Sequence, residues 1–497
     1  IPGASQSNPT VVMTLQKLQL SGSDVFYALN EMRTSDLGKT WSKPFRHDSF
    51  SRVPFTFDGN EELEITVCDF SPKWHAQTGK LLGTGHTVVY ENNKVRHVRP
   101  RATAYAVYDP KLAAWSPWRS LAMPDKPKFG NSGAGCTQRF DLENGDILLP
   151  IYFKEIGKEQ YATTVLRCEF DGETLRYLEH GSELTVPVKR GLYEPSITEF
   201  GGSYFLTMRN DDHGYISVSK GGRSLEFTEP KKWTFDDGAD LGNYNTQQHW
   251  VRHPKHGLWL VYTRRGAGND HVFRHRAPLF IAKVDPEKLH VIRATEQILI
   301  PEKGARLGNF GVTEISENET WITVSEYMQG PGPNYFDPKP LVARGANNRV
   351  WVAKLKWTSG SEPRLQRFGT NLADAVVSVD NAALAHTPQL IARDLDSAPI
   401  NDEFKNVVEQ LSEILAEFDS SISDLVKLNV YAADTEITTA ALEFLSNWCP
   451  ADVRPAVATV VTKLPEGKRF GLDAVFAARK FVFNDAATTE IYADAAV

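Results

Sequence analysis

The sequence predicts a mainly β chain: a β-propeller of six or seven blades over residues 1–365, followed by a small α+β domain over 366–497. Three observations predict it. Short apolar alternations recur through the first part, broken by turn residues. Four stretches share one shape, strand, short polar turn, strand, beginning at Gln138, Pro195, His249 and Asn309. Helical apolar spacing is confined to the region beyond residue 366.

The strand-like runs of the first part are Val11–Leu18, Glu64–Val67, Ile147–Tyr152, Tyr204–Met208, Leu258–Thr263, Thr320–Val324 and Val350–Leu355. In the tail, Phe404, Val407, Val408, Leu411, Ile414, Leu415 and Phe418 fall at helical intervals. A strand at Val426–Tyr431, a helix near Thr438–Trp448 and strands near Ala456–Leu464 and Phe470–Ala477 complete the expected domain.

Composition narrows the function. The 497 residues carry 55 Lys+Arg against 62 Asp+Glu, a net charge of −7. That excludes nucleic-acid binding by bulk charge but leaves room for a local basic pocket. Mean hydropathy is −0.36, and no apolar run approaches the ~18 residues of a membrane helix. Cys68, Cys136, Cys168 and Cys449 form no CxxC pair and read as small buried hydrophobes. No signal peptide is visible; a secreted or periplasmic placement is expected, with the cytoplasm left open.

Thr34-Ser35-Asp36-Leu37-Gly38-Lys39-Thr40-Trp41 resembles the Asp-box of sialidase-type propellers, and Ser217–Arg223 resembles a degraded second copy. Asp36 holds turn amides and Gly38 takes positive φ in such a box. The resemblance implies three arginines gripping a sugar carboxylate, because guanidinium forks match carboxylates. Arg52 of Arg52-Val53-Pro54, Arg209, and Arg264 or Arg306 are the expected triad. The resemblance also implies a glutamate one strand pair upstream of the second arginine, where Tyr193 and Glu194 stand. Adjacent strand residues face opposite sides, so an inward Tyr193 is expected to displace Glu194 from the pocket.

That substitution resembles ulvan-lyase-like propellers, which imply β-elimination. Tyr193 and His86 are then the proton-transfer groups and Arg209 neutralises the uronate. Sialidase-like hydrolysis is the family default and elimination the alternative; a non-catalytic glycan-binding propeller is the third reading. The starts of the repeats supply Gln138, Arg139, His249 and Asn309 as further candidates. A polar block from Asn243 to Arg276 supplies Tyr244, Gln248, Arg264, Asn269 and His271. Arg306 follows in a glycine-flanked stretch. The expected ligand is an acidic oligo- or polysaccharide. His249, His253, His256, His271 and His275 lie in strand and turn surroundings, so no metal and no cofactor are expected.

The tail is similar to the RidA (YjgF) family over the Phe404–Phe418 helix, Asp419–Tyr431, Val453-Arg454-Pro455 and Phe470–Val475. The resemblance implies a trimer with clefts between subunits, a carboxylate-binding arginine at Arg454, and Asp473 where the family has glutamate. His386-Thr387-Pro388-Gln389 replaces the family's Ser-Gly-Gln. The expectation is a degenerate, trimerising module, with imine hydrolysis in the tail as an alternative.

Overall fold

The computed structural model describes the chain except residues 3–8, 19–24, 97–98, 358–363, 371–372, 381–382, 394–397, 419, 451–452, 454, 479–486 and 497. Only the backbone is described for 364–370, 373–380, 383, 417, 466 and 487–496. Two compact units result: Ile1–Leu355 with Thr489–Val497, and Lys356–Thr488.

Among the described residues, the first unit is a β-propeller built from six antiparallel sheets in chain order. The first pairs Val11–Leu18, Phe26–Thr34 and Phe45–Arg46. The second centres on Asn60–His75 and Lys80–Glu91, the third on Ile147–Phe153 and Ala162–Phe170. The fourth starts with Tyr193–Phe200 and Ser203–Arg209, the fifth with His249–His253 and Gly257–Tyr262. The sixth runs Arg306–Ser316, Glu319–Tyr327, Arg349–Trp357 and the C-terminal strand Ala487–Ala496.

Period-2 side chains explain the stacking. Strand Ile147–Phe153 is buried throughout. Ile147, Leu149, Ile151 and Phe153 pack with Leu82 and Tyr105 of the second sheet. Leu148 instead joins Ile197, Leu206 and Met208 of the fourth. One strand therefore serves two inter-sheet cores, because its side chains alternate. Each such side chain contributes about 1.5–3 kcal/mol when fully buried. Trp233 and Trp250 fill the next core with Leu258, Leu260 and Tyr262.

The turn at Asp36 is held by its own side chains. Thr40 donates its backbone N–H (3.0 Å) and hydroxyl (2.6 Å) to the Asp36 carboxylate, and Thr34 Oγ1 donates to Asp36 at 2.8 Å. Gly38, at φ 79°, donates to Thr34 Oγ1 at 2.9 Å. Trp41 packs against Trp321 with ring centroids 6.2 Å apart.

The second unit is α+β. Leu425–Ala432 pairs antiparallel with Phe470–Ala478 and parallel with Ala456–Val461. Helix Thr435–Trp448 makes the crossover that a parallel pair requires. Its N-cap, Asp434, accepts from the Ile437 amide at 2.8 Å. Helix Ile400–Glu417 buries Phe404, Val407, Val408, Leu411 and Leu415 against the sheet, as the apolar spacing predicts. No helix among the described residues is long and apolar enough to cross a membrane.

Candidate active site

Strands from all six sheets of the propeller unit meet at one cavity of about 2200 Å³. The contributing strands include Val11–Leu18, Asn60–His75, Tyr193–Phe200, His249–His253 and Arg306–Ser316.

Several of these ladders break where they reach the cavity. Register slips between Cys68 and Ser71, between Tyr193 and Ser196, and between Leu307 and Phe310. Asp69 (φ 52°) and Glu194 (φ 46°) sit in the left-handed region, which costs non-glycine residues of order 1 kcal/mol. Pro195 has no N–H to continue the ladder. As a result Tyr193 and Glu194 both line the cavity. This corrects the expectation that one must exclude the other: strict alternation belongs to regular strand, and a bulge re-aims a side chain.

One wall is cationic. Arg209 lies across the ladder from Tyr193 and is clasped by both oxygens of Glu194 at 2.6 Å and by Asn245 Oδ1 at 2.8 Å. Burial opposes its charge, but Glu194 holds it firmly ionised. Arg276 donates to the Asn245 carbonyl at 3.1 and 2.8 Å. Burial, then the Arg209 charge, draws it down to about 10. Arg306 is 2% exposed and stacks 3.9 Å from the Tyr327 ring centre. Burial, then the Arg276 charge, draws it down to about 8. Arg306 Nε and Nη1 and Arg209 Nε are buried donors without a hydrogen-bond partner. Each such orphan costs about 1–3 kcal/mol. A guanidinium resists giving up its proton, so the wall holds buried positive charge that a bound carboxylate would relieve.

A second wall carries the proton-transfer candidates. His86 Nε2 lies 3.1 Å from Asp69 Oδ2, and Asn309 Nδ2 donates to Asp69 Oδ1 at 2.8 Å. Burial pushes the Asp69 carboxyl up, but bonds from His86, Cys136 and Asn309 and the His86 charge hold it below the usual carboxylate range. Gly133 and Gly135 leave the space that His86 fills: a Cβ on Gly135 would fall 2.0 Å from His86 Cδ2. Cys68, Asp69 and His86 bring donor atoms within 4.8 Å of one another. Within that group Asp69 and His86 are in direct hydrogen-bond contact at 3.1 Å. The Tyr193 hydroxyl donates to Asp211 and accepts from Arg190 Nη2 at 2.7 Å. Burial raises its pKa, only partly offset by Arg209 and Arg190. Tyr152 stands between His86 and Tyr193, with ring centres 6.2 and 6.3 Å away.

Of the sequence candidates, His86, Gln138, Arg139, Tyr193, Glu194, Arg209, His249, Arg306 and Asn309 line the cavity. Three of these are committed to the frame. Gln138 bonds the Trp250 backbone through both amide atoms (2.9 and 2.7 Å). Arg139 spends its donors on Asp141, Leu82 and Lys73. His249 bonds Ser196 Oγ at 2.8 Å and is held neutral by burial, down to about 4.

Arg52, Tyr244, Gln248, Arg264, Asn269 and His271 are absent from the cavity wall. Arg52 stacks 3.7 Å from the Tyr90 ring centre and bonds the Phe26 carbonyl and Asn93. The strand that follows it, Val53–Phe57, is an edge of the second sheet. Arg264 is consumed by Glu296 at 2.8 and 2.6 Å. Asn269 ties the carbonyls of Arg264 and Ala277 at 2.9 and 2.7 Å. Tyr244 bonds His275 at 2.5 Å, His271 bonds Glu302 at 3.1 Å, and Gln248 bonds Thr207 at 2.9 Å. Of the arginines expected in the triad, Arg209 and Arg306 line the cavity and Arg276 joins them there, whereas Arg52 and Arg264 do not. Sequence reasoning missed Asp69, Arg276 and Asp211 as wall or supporting groups. Arg276 closes the polar block that had been singled out, but nothing in that block ranks one arginine above another.

In the tail, Asp473 accepts from Asn429 Nδ2 and from the Tyr431 hydroxyl, both at 2.7 Å. Arg454 lies outside the described residues.

Residues 386–477 match the family model described as endoribonuclease L-PSP. The second unit carries that RidA/YjgF-type domain. No curated protein matches the chain. Among solved structures, a Trypanosoma rangeli sialidase is 15% identical over 66% of this chain and 52% of its own, with a TM-score of 0.43. Yeast Mmf1 is 19% identical over 20% of this chain and 82% of its own, with a TM-score of 0.19. NMB1025 from Neisseria meningitidis, a member of the YjgF protein family, is 19% identical over 24% of this chain and 97% of its own, with a TM-score of 0.19.

Proposed function

We propose that the propeller unit is a carbohydrate-active enzyme that cleaves glycosidic bonds of an acidic, uronate-containing glycan by β-elimination. The observation that carries the reading is the buried cluster of Arg209, Arg276 and Arg306, with orphaned donors on two of the three. A uronate carboxylate bound there loses its negative charge to the guanidiniums. That makes the C5 proton removable and stabilises the enolate-like intermediate. Tyr193 and His86 share the cavity with the cluster. The Tyr193 ring centre is 4.8 Å from Arg209 Cζ, as proton transfer beside a neutralised carboxylate needs.

One observation favours a second reading, sialidase-like hydrolysis: Glu194 is kept in the cavity beside Arg209. Elimination is preferred because the Tyr193 hydroxyl bonds Asp211 and Arg190, while Arg209 occupies both Glu194 oxygens. A turnover panel of uronate polysaccharides and a fluorogenic sialoside separates the readings. Elimination gives an unsaturated uronide and ultraviolet absorbance; hydrolysis gives fluorophore and a reducing end; a binding propeller gives neither.

For the tail we propose trimerisation rather than catalysis. Val457, Val460 and Val461 on Ala456–Val461 are 45, 45 and 56% exposed, and this strand is an edge of its sheet, an apolar edge of the kind partners cover. Light scattering at micromolar protein is expected to give three chain masses; a single 55.6 kDa species contradicts it.

A further inference from the structure

The cavity holds a second phenol, Tyr161, flanked like Tyr193 by two cations but without the carboxylate that the Tyr193 hydroxyl bonds. We propose that Tyr161 is the base of the elimination: its phenolate takes the C5 proton of the bound uronate, and Tyr193 returns a proton to the leaving oxygen. The proposal rests on the elimination reading above.

Three groups face Tyr161. The Asn131 side chain faces its phenol. Arg101 Cζ and Lys154 Nζ each lie 5.7 Å from its ring centre. Backbone bonds fix all three: Ser132 donates to the Arg101 carbonyl at 3.1 Å, and Lys154 to the Asn131 carbonyl at 2.8 Å. Tyr161 itself donates to the Arg190 carbonyl at 2.7 Å and accepts from Leu192 at 3.0 Å. It is thereby clamped to the segment that leads into Tyr193, and the two ring centres are 6.1 Å apart.

Tyr152 and Tyr193 flank the ring, and Arg99 adds a further positive charge. The nearby acids are engaged elsewhere, Asp211 by Arg190 and Glu194 by Arg209. Burial pushes the Tyr161 phenol up, but Arg101, Asn131, Lys154 and Arg99 together carry it below the ordinary tyrosine value, whereas Tyr193 is raised. Two titratable groups pushed apart at one site mark the base and the acid of a reaction.

The step balances without a co-reactant. The C5–H electron pair becomes the C4=C5 double bond as the C4–O bond breaks. The proton ends on Tyr161, the leaving oxygen takes the Tyr193 proton, and exchange with water returns Tyr161 to its phenolate and Tyr193 to its phenol.

The test is tyrosinate absorbance of the full-length protein against pH, alongside turnover on uronate polymers. One tyrosine is expected to ionise ahead of the rest, to vanish in Tyr161→Phe and to persist in Tyr193→Phe. Turnover of Tyr161→Phe is expected to fall by about 10²–10⁴-fold, with loss of the rising limb of kcat/KM against pH. Arg101→Gln keeps the phenol and is expected to move both the titration and that limb to higher pH. If the early-ionising tyrosine survives in Tyr161→Phe, or that variant turns over as the wild type does, the base assignment is overturned and the glycan reading stands. If the wild type turns over no uronate polymer, the elimination reading fails and takes the assignment with it.

Discussion

Replacing Arg209 with alanine is expected to lower kcat/KM on an acidic glycan by about 10²–10³-fold, the usual loss when one preorganised donor to a developing charge is removed. It is also expected to destabilise the fold. Arg209 and Glu194 are both largely buried, with side chains 7 and 13% exposed. Removing one partner strands the other, at a cost of about 3–5 kcal/mol. The two effects separate in a double variant. Arg209→Ala with Glu194→Gln removes the stranded charge, so unfolding stability should recover in large part while turnover stays low. Denaturant unfolding and steady-state kinetics on the same preparations check this. Recovery of turnover in the double variant would mean that Arg209 only balances Glu194 and does not meet substrate.

Gly135→Ala is expected to abolish the His86–Asp69 arrangement without touching either residue's chemistry. The added Cβ would lie 2.0 Å from His86 Cδ2, 2.8 Å from His86 Nε2 and 3.0 Å from Asp69 Cβ. His86 is 4% exposed and has Cys68 Sγ at 3.5 Å behind it, so it has little room to retreat. Overpacking of this kind costs about 1–3 kcal/mol. The variant should fold with a reduced melting temperature, and where His86 and Tyr193 share the proton transfer it should lose turnover as His86→Ala does. Wild-type turnover in a folded Gly135→Ala protein would remove His86 and Asp69 from the mechanism.

The architecture was legible because it rests on periodicity. The apolar runs at Ile147–Tyr152 and Tyr204–Met208 become Ile147–Phe153 and Ser203–Arg209. The helical spacing from Phe404 becomes Ile400–Glu417. The cavity was half legible. Tyr193, Arg209, Arg306 and Asn309 were readable as residues at strand ends near the repeat starts. Arg52 and Arg264 matched the same pattern, yet one stacks on Tyr90 and the other pairs with Glu296; both are tertiary contacts with residues distant in sequence. The bulge that turns Glu194 inward left one trace, Pro195, which cannot donate to a ladder. Asp69 left none: its left-handed backbone follows from how Asn60–His75 meets Lys80–Glu91, which local residue preferences do not encode.

The central claim is that the buried arginine cluster takes a uronate carboxylate for elimination. The most direct measurement is ultraviolet absorbance on a panel of uronate polysaccharides with wild-type protein, Arg306→Met and the sialoside control in parallel. A rising absorbance with wild type, lost in Arg306→Met, with no fluorophore released from the sialoside, is the predicted result. Fluorophore release without absorbance would contradict elimination and put Glu194, not the phenols, at the centre of the chemistry.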